Sequence, residues 1–226
     1  MRKWNELPQD MQVEEVRKYY EILQKHKVGM IAKRIFDILV SGILIVLTSP
    51  ILLILSILIK LDSRGPVIFR QVRITTYGKK FRICKFRTMV NNAEKLGTQV
   101  TTKGDARVTR MGKLLRGCRL DELPQLFNIL TGDMTFVGTR PEVEKYVNQY
   151  TNEMKATLLL PAGVTSRASI EYKDEEKLLE DAENADKVYV ERVLPEKMRY
   201  NLQAIEKFSF WEEIKTMFAT VAAVIR

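Results

Sequence analysis

Residues 33–37, KRIFD, lead into residues 38–59, ILVSGILIVLTSPILLILSILI, a run of 22 uncharged and mostly aliphatic residues. At about 1.5 Å per residue, a helix of this length is long enough to cross a hydrocarbon core of about 30 Å. The run starts too deep in the chain for a cleavable signal peptide, and no small-residue cleavage site follows it. The stretch therefore predicts a membrane helix.

Two features of this stretch bear on its path through the membrane. Ser49-Pro50 lies at its centre, where proline lacks a backbone donor and is expected to bend or break a helix. Positive charge, which marks the cytoplasmic side, flanks both ends. The basic residues are Lys25, Lys27, Lys33 and Arg34 before the run and Lys60, Arg64, Arg70 and Arg73 after it. A kinked span and a re-entrant helix broken at Ser49 and Pro50 are both compatible with these residues.

The rest of the chain predicts an α+β fold that is predominantly α. Strands at residues 67–73 and 80–87 form a small β-hairpin around a turn containing Gly78, and residues 5–27 form an amphipathic helix on a membrane or on the rest of the protein. Further helices are predicted at residues 109–118, 122–130, 142–160, 174–187 and 208–225, the last one interfacial. The expected parts are an N-terminal amphipathic extension (1–32), the membrane helix (33–62) and a cytoplasmic catalytic domain (63–226).

Composition narrows the chemistry. Residues 1–120 carry 24 Lys and Arg against 9 Asp and Glu, whereas residues 121–226 carry 13 against 19. A basic half suits nucleic acid, anionic lipid or a phosphorylated substrate. Cys84 and Cys118 lack the spacing of a metal site or redox pair, and His26 lies in a charged stretch. Carboxylates, hydroxyls and cations are left to carry a reaction.

The candidate catalytic residues are Asp121 and Glu122, with Arg116 five residues before Asp121. An Asp followed by Glu and then Pro124 is also typical of an ordinary helix start, with Asp121 as the cap. The same position suits phosphate chemistry, because a carboxylate that attacks phosphorus forms an acyl-phosphate intermediate. Two adjacent carboxylates also suit Mg²⁺, which binds a few carboxylates plus phosphate oxygens.

Two further cationic clusters are candidates for substrate binding. In a strand, Lys85 and Arg87 share one face and can clamp phosphate oxygens, although a solvated face has the same pattern. Arg140-Pro141 follows Gly138 in a turn that can present its arginine to a nucleotide, although most such turns only connect elements.

In combination and order, these residues resemble the monotopic phosphoglycosyl transferases, the bacterial sugar transferase family. The matching segments are residues 33–37, Ser49-Pro50, and residues 65–71, 85–89, 107–110, 120–126 and 132–138. The resemblance covers about residues 33–141, with weaker similarity to the end. Thr139 stands where the family has a proline before Arg140-Pro141, which makes the nucleotide contact of this turn less secure.

The resemblance implies a function and a site. It implies transfer of a sugar-1-phosphate from a UDP-sugar to a polyprenyl (undecaprenyl) phosphate, with release of UMP. Asp121 is the implied nucleophile and Asp121 and Glu122 the implied Mg²⁺ site, while Arg116 binds phosphate and Arg140-Pro141 binds nucleotide. It also implies a re-entrant helix at the bacterial inner membrane, contact with membrane lipid, and an active site on the cytoplasmic face.

Two other classes of protein are compatible with parts of the sequence. A basic, membrane-attached binding module without catalysis is one, but the basic half has no run of aromatics for base stacking and no nucleic-acid motif. We therefore expect no nucleic-acid partner. A membrane phosphatase that uses the same Asp121 is the other, and it would release phosphate rather than UMP.

Overall fold

The computed structural model describes residues 1–93, 105–172 and 185–225, which are mostly helical, as predicted. The helices are α1 (Glu14–Lys25), α2 (Lys27–Asp62), α3 (Arg110–Gly117), α4 (Gln125–Thr131), α5 (Glu144–Val147), α6 (Arg167–Glu171), α7 (Ala185–Val188), α8 (Leu194–Glu206) and α9 (Phe210–Ile225). The strands are β1 (Ile68–Ile74), β2 (Lys80–Phe86), β3 (Met134–Val137) and β4 (Ala162–Thr165). Short 3₁₀ turns and a π-helical turn at Tyr189–Val193 join them.

The predicted β-hairpin is confirmed. Strands β1 and β2 pair antiparallel, with Ile68 opposite Phe86 and Ile74 opposite Lys80. The connecting turn uses positive φ angles at Tyr77 and Gly78. Apolar side chains of β2 pack against α4 and β3 in one buried cluster, which contains Phe81, Ile83, Leu126, Ile129 and Met134.

A second pair of strands, β3 and β4, was not predicted. They run parallel, with Met134 opposite Ala162 and Val137 opposite Thr165. Just beyond β3 the two backbones approach so closely that a Cβ on Gly163 would lie 2.2 Å from the amide nitrogen of Gly138. Only glycine fits at this contact, which fixes the loop that leads to Arg140.

Helix α2 is one long apolar helix, and its mostly exposed apolar window is long enough for a membrane element by length and composition. It continues through Ser49 and Pro50 without interruption. The predicted break at these residues is therefore not seen, and the re-entrant path stays a prediction.

Both ends of α2 are fastened to the rest of the protein. Near its start, Arg34 donates from Nη1 to the Ile129 carbonyl (2.6 Å) at the end of α4, and Asp37 accepts a 2.6 Å bond from Thr135 in β3. At its end, Asp62 accepts a 3.1 Å bond from the Met111 amide at the start of α3. The most exposed part lies between these contacts, because most of residues 46–54 are exposed.

Helix α1 packs on the protein rather than projecting from it. Its apolar face joins α8 and the Met154–Leu159 turn in a buried cluster. Residues 5–27 were expected to lie either on a membrane or on the rest of the protein, and they lie on the rest of the protein. The predicted C-terminal helix is confirmed as α9, with Trp211 and Phe218 about 70% exposed.

Three predicted helices have the wrong bounds. The helix predicted at 5–27 begins at Glu14, as α1, and two 3₁₀ turns precede it. Residues 142–160 contain only the single turn α5 and the turn at Met154–Leu159, because the polar stretch between them favours neither helix nor strand. The helix predicted at 122–130 begins instead at Gln125, as α4. Most of the charged helix predicted at 174–187 lies outside the described residues; Ala185–Val188 is helical.

Candidate active site

Asp121 lies in a short 3₁₀ turn, Leu120–Glu122, between α3 and α4. Arg119 enters this turn in the left-handed conformation (φ 56°), and Pro124 precedes the first residue of α4. Neither the turn nor α4 has a side-chain cap. The helix-cap explanation of Asp121 is therefore wrong, and its buried carboxylate needs another reason.

The Asp121 carboxylate is buried but not hydrogen-bonded. The residue is 8% exposed, and no residue in the described ranges donates a hydrogen bond to it. Burial raises the pKa of Asp121, and the positive charge of Lys85 opposes that shift. The carboxylate is thus poorly solvated and has lone pairs free for a ligand or an electrophile.

Glu122 has the opposite environment. Its Oε1 accepts hydrogen bonds from Lys85 Nζ (2.8 Å) and Arg140 Nη2 (2.6 Å). Burial alone would raise the pKa of Glu122, but the charges of Arg140 and Lys85 outweigh burial and hold it well below its ordinary value. Glu122 is therefore ionised at neutral pH. Strand β2 and the loop after β3 each contribute one of its two cations.

Arg116 completes the cationic side of the site. It lies in the last turn of α3, and its charge acts on Asp121. Its Nε donates to Thr88 Oγ1 (3.0 Å), whereas neither Nη makes a hydrogen bond to any residue of the described chain. The two terminal nitrogens can donate hydrogen bonds to an anion such as a phosphate.

The structure separates Arg87 from the other candidates. Strand β2 ends at Phe86, so the alternation that was expected to align Arg87 with Lys85 stops before it. The Arg87 Nη2 donates to the Ser63 carbonyl (2.6 Å) and Oγ (2.8 Å) just after α2. Pro141 contributes its carbonyl, which accepts a 3.2 Å bond from Arg73. Lys85, Arg116, Asp121, Glu122 and Arg140 are therefore the predicted residues that come together.

The site can be tested for its fit to a metal ion. No cluster of three or more carboxylate, histidine or cysteine side chains occurs in the described residues, so an all-protein cage does not fit. The Asp121 oxygens are unbonded, and Glu122 Oε2 accepts only a 3.5 Å contact from Arg140. Mg²⁺ typically uses one or two carboxylates together with phosphate oxygens. The pair therefore fits a hard cation that binds together with a diphosphate.

Thr88 and Glu142 were not predicted as part of this region. Thr88 contacts Arg116, and Glu142 accepts a bond from Tyr189 directly beside Arg140-Pro141. Thr88 lies inside the segment 85–89, which contains the cations Lys85 and Arg87. A hydroxyl so close to these cations was the sequence feature that could have indicated its role. Glu142 had no such signal, because its partner Tyr189 is 47 residues away.

The bacterial sugar transferase family matches residues 28–226, and the chain belongs to this family. Residues 1–27 lie outside the match.

Individual relatives are enzymes of lipid-linked sugar transfer. A UDP-N-acetylgalactosamine-undecaprenyl-phosphate N-acetylgalactosaminephosphotransferase of Aeromonas hydrophila is 37% identical over 85% of this chain and 43% of its own length. A UDP-glucose:undecaprenyl-phosphate glucose-1-phosphate transferase of Klebsiella pneumoniae is 38% identical over 86% of this chain and 40% of its own. One of the same name from Caulobacter vibrioides is 32% identical over 85% and 69%. The chain spans about two fifths of the length of the first two relatives.

Proposed function

We propose that this protein transfers a sugar-1-phosphate from a UDP-sugar to a polyprenyl (undecaprenyl) phosphate through a covalent intermediate on Asp121. The observation that carries the proposal is the unbonded, buried carboxylate of Asp121 in a site with three cations, Lys85, Arg116 and Arg140. The family membership and the names of the relatives support the choice of substrates.

The reaction has two displacements. In the first, an Asp121 oxygen attacks the β-phosphorus of the UDP-sugar, the bond to the bridging oxygen breaks, and UMP leaves with the electron pair. In the second, a phosphate oxygen of the polyprenyl phosphate attacks the same phosphorus and the Asp121 carboxylate leaves. The product is a polyprenyl diphosphate sugar. A poorly solvated carboxylate is a better nucleophile than a hydrated one, which suits Asp121.

The three cations have separate tasks in this proposal. Arg116 binds a phosphate through its two terminal nitrogens and stabilises the charge of the transition state. Arg140 and Lys85, which hold Glu122, lie beside the diphosphate and the nucleotide. Asp121 and Glu122 are the residues that would hold Mg²⁺ beside a bound diphosphate, and the ion would supply neutralisation of phosphate charge.

We further propose that α2 enters and leaves the same leaflet, with the catalytic domain at the cytoplasmic face of the bacterial inner membrane. Two observations support this path: both ends of α2 contact the same folded body, and the exposed apolar residues lie between them. A helix that crossed the bilayer would place its two ends on opposite sides. Helix α9, with its exposed aromatic residues, lies in the membrane interface.

The decisive experiment measures UMP release from a panel of UDP-sugars, including UDP-glucose and UDP-N-acetylgalactosamine, with polyprenyl phosphate and Mg²⁺. Without the lipid acceptor, the enzyme should release about one UMP per site and gain the mass of a phosphosugar on the peptide that contains Asp121. Release of free phosphate would indicate the phosphatase instead. An adduct on another residue would contradict the role of Asp121.

The membrane path has its own test. Cysteines introduced one at a time before and after α2, in a background without Cys84 and Cys118, are labelled in intact cells with a membrane-impermeant reagent. Both positions should resist labelling until the membrane is opened. Labelling of residues before α2 from outside would contradict the re-entrant path.

A further inference from the structure

We propose that Thr88 is a positioning residue that aims the terminal nitrogens of Arg116 at the phosphate bound beside Asp121. The inference rests on the proposed function, and it adds a residue that acts through Arg116 rather than on the substrate. The contact that identifies it is the 3.0 Å hydrogen bond from Arg116 Nε to Thr88 Oγ1.

This bond decides how the guanidinium is presented. A guanidinium binds an anion best in its plane, through two parallel N–H groups. Because Thr88 accepts the hydrogen bond from Nε of Arg116, the edge of the guanidinium formed by the two Nη nitrogens stays available to the ligand. Without the bond, rotation about the long side chain would spread these nitrogens over many orientations, and ordering them would cost free energy on binding.

The position of Thr88 is itself fixed by close backbone packing against α3. The Thr88 carbonyl accepts a 3.0 Å bond from the Thr109 amide, and Thr109 caps α3 through its side chain. A Cβ on Gly112 would lie 2.0 Å from the same carbonyl oxygen, so the helix approaches Thr88 at glycine distance. Thr88 is 8% exposed. Its hydroxyl therefore sits at a defined place relative to the helix that carries Arg116.

The same short segment also holds the other half of the site. Lys85, three residues before Thr88, bonds Glu122 from strand β2. The segment 85–88 thus contacts Arg116, which precedes Asp121 in the chain, and Glu122, which follows it. A small change at Thr88 is expected to move the arginine while Lys85 keeps its carboxylate partner.

The test compares Thr88→Val, which keeps the shape and removes the hydroxyl, with Thr88→Ser, which keeps the hydroxyl. We expect Thr88→Val to lower kcat/KM roughly 10- to 100-fold, the size of effect that misplacing a catalytic contact produces. Thr88→Ser should stay within about threefold of wild type. The matched control is Thr165→Val, which removes another buried hydroxyl, one that shares a 2.8 Å hydrogen bond with Thr220 of α9. It should leave kcat/KM unchanged.

A binding cycle separates positioning from a general loss of structure. Calorimetry of the UDP-sugar in an Asp121→Asn background, where turnover is blocked, compares Thr88→Val, Arg116→Ala and both together. If Thr88 acts through Arg116, Thr88→Val weakens binding about tenfold alone and less than about twofold once Arg116 is gone. Equal weakening in both backgrounds, or full activity of Thr88→Val, would overturn the proposal.

Two outcomes keep the test decisive. If Thr88→Val does not fold, the pair Thr88→Ala and Thr88→Ser carries the same comparison, because they differ only in the hydroxyl. If Arg116→Ala keeps wild-type turnover, the role of Arg116 in the proposed function fails. An inactive Arg116→Ala with a fully active Thr88→Val and Thr88→Ala would instead leave the function standing and remove Thr88.

Discussion

Two glutamates, the buried Glu142 and the partly buried Glu122, each face two cations in this protein, and their surroundings differ. Glu122 is held by Lys85 from β2 and Arg140 from the loop after β3. Glu142 lies near Arg73 of β1 (4.0 Å) and Lys197 of α8 (3.7 Å). Each strand of the hairpin thus supplies one cation to one glutamate.

The difference lies in what accompanies each glutamate. At Glu142 the neighbour is Tyr189, whose hydroxyl donates a 2.5 Å bond to the carboxylate and accepts one from Lys197 (3.1 Å). At Glu122 the neighbour is Asp121, a second carboxylate without a hydrogen bond in the described chain. Tyr189 thus links the Glu142 carboxylate to Lys197, whereas the Asp121 carboxylate beside Glu122 accepts no hydrogen bond from the described residues. Unsatisfied buried groups of this kind concentrate at functional sites.

The largest expected effect is loss of turnover on Asp121→Asn. The change keeps the shape and removes the anionic nucleophile, so kcat should fall roughly 10⁴-fold or more. Burial raises the pKa of Asp121, so the folded state binds its proton more tightly than the unfolded state, and stability is lost as pH rises through that pKa. The melting temperature of Asp121→Asn at pH 7 should therefore equal or exceed that of wild type. A lower melting temperature would mean that Asp121 supports the fold.

The two glutamates should respond differently to the same change. Glu122→Gln removes the carboxylate charge that Lys85 and Arg140 bind and should lower kcat/KM about 100-fold, at a stability cost of about 2 kcal/mol. Glu142→Gln, in a more buried cluster, should cost about 3 kcal/mol of unfolding free energy and lower kcat/KM less than tenfold. Chemical unfolding and steady-state kinetics measure the two quantities. Equal kinetic losses in both variants would erase the distinction between the clusters.

The pH dependence of kcat/KM gives a third comparison. In the proposed mechanism Asp121 reacts as the ionised carboxylate, so activity should fall as pH drops through its raised pKa, which lies above the ordinary value of about 3.9. The charge of Lys85 lowers this pKa, so Lys85→Met should move the acid limb to higher pH. Lys197→Met, at the other cluster, serves as the control and should leave the limb in place. A limb that stays fixed in Lys85→Met would contradict the assignment to Asp121.

The smallest effect is expected for Tyr189→Phe. It removes one hydroxyl from the Glu142 cluster and should cost about 1–2 kcal/mol of unfolding free energy. The kcat of the folded enzyme should stay within about threefold of wild type. A large kinetic loss without a stability change would assign the Glu142 cluster to the reaction.

Local sequence signals predicted the parts of the fold that local interactions determine. The hairpin around Gly78, the helix after Thr109 and the apolar α2 follow from turn residues, a cap and hydropathy. The parallel pair β3 and β4 was missed because its strands have four residues each and lie 24 residues apart, with no periodicity to read. The long helix expected at 142–160 does not form because the poor helix formers Asn148, Thr151 and Asn152 separate α5 from the Met154–Leu159 turn.

The sequence predicted which residues form the candidate site but not which of them bind one another. Asp121, Glu122, Arg116, Lys85 and Arg140 lie together as motif order suggested. Sequence could not show that Glu122 accepts hydrogen bonds from two cations while Asp121 accepts none from the described residues, because both cations reach Glu122 from other elements. Arg87 was grouped with Lys85 because alternate residues of a strand share one face. Strand β2 ends at Phe86, one residue before Arg87, so the alternation does not extend to it.

Helix α2 is attached to the rest of the protein at both ends, through Arg34 and Asp37 near its start and through Asp62 at its end. It therefore cannot tilt independently when the bilayer becomes thinner or thicker. In the membrane path proposed above, the apolar middle of α2 lies in the leaflet, so the folded body would rise or sink with it and the height of Asp121 above the headgroups would follow. Lipid chain length would then set how far an acceptor phosphate has to reach.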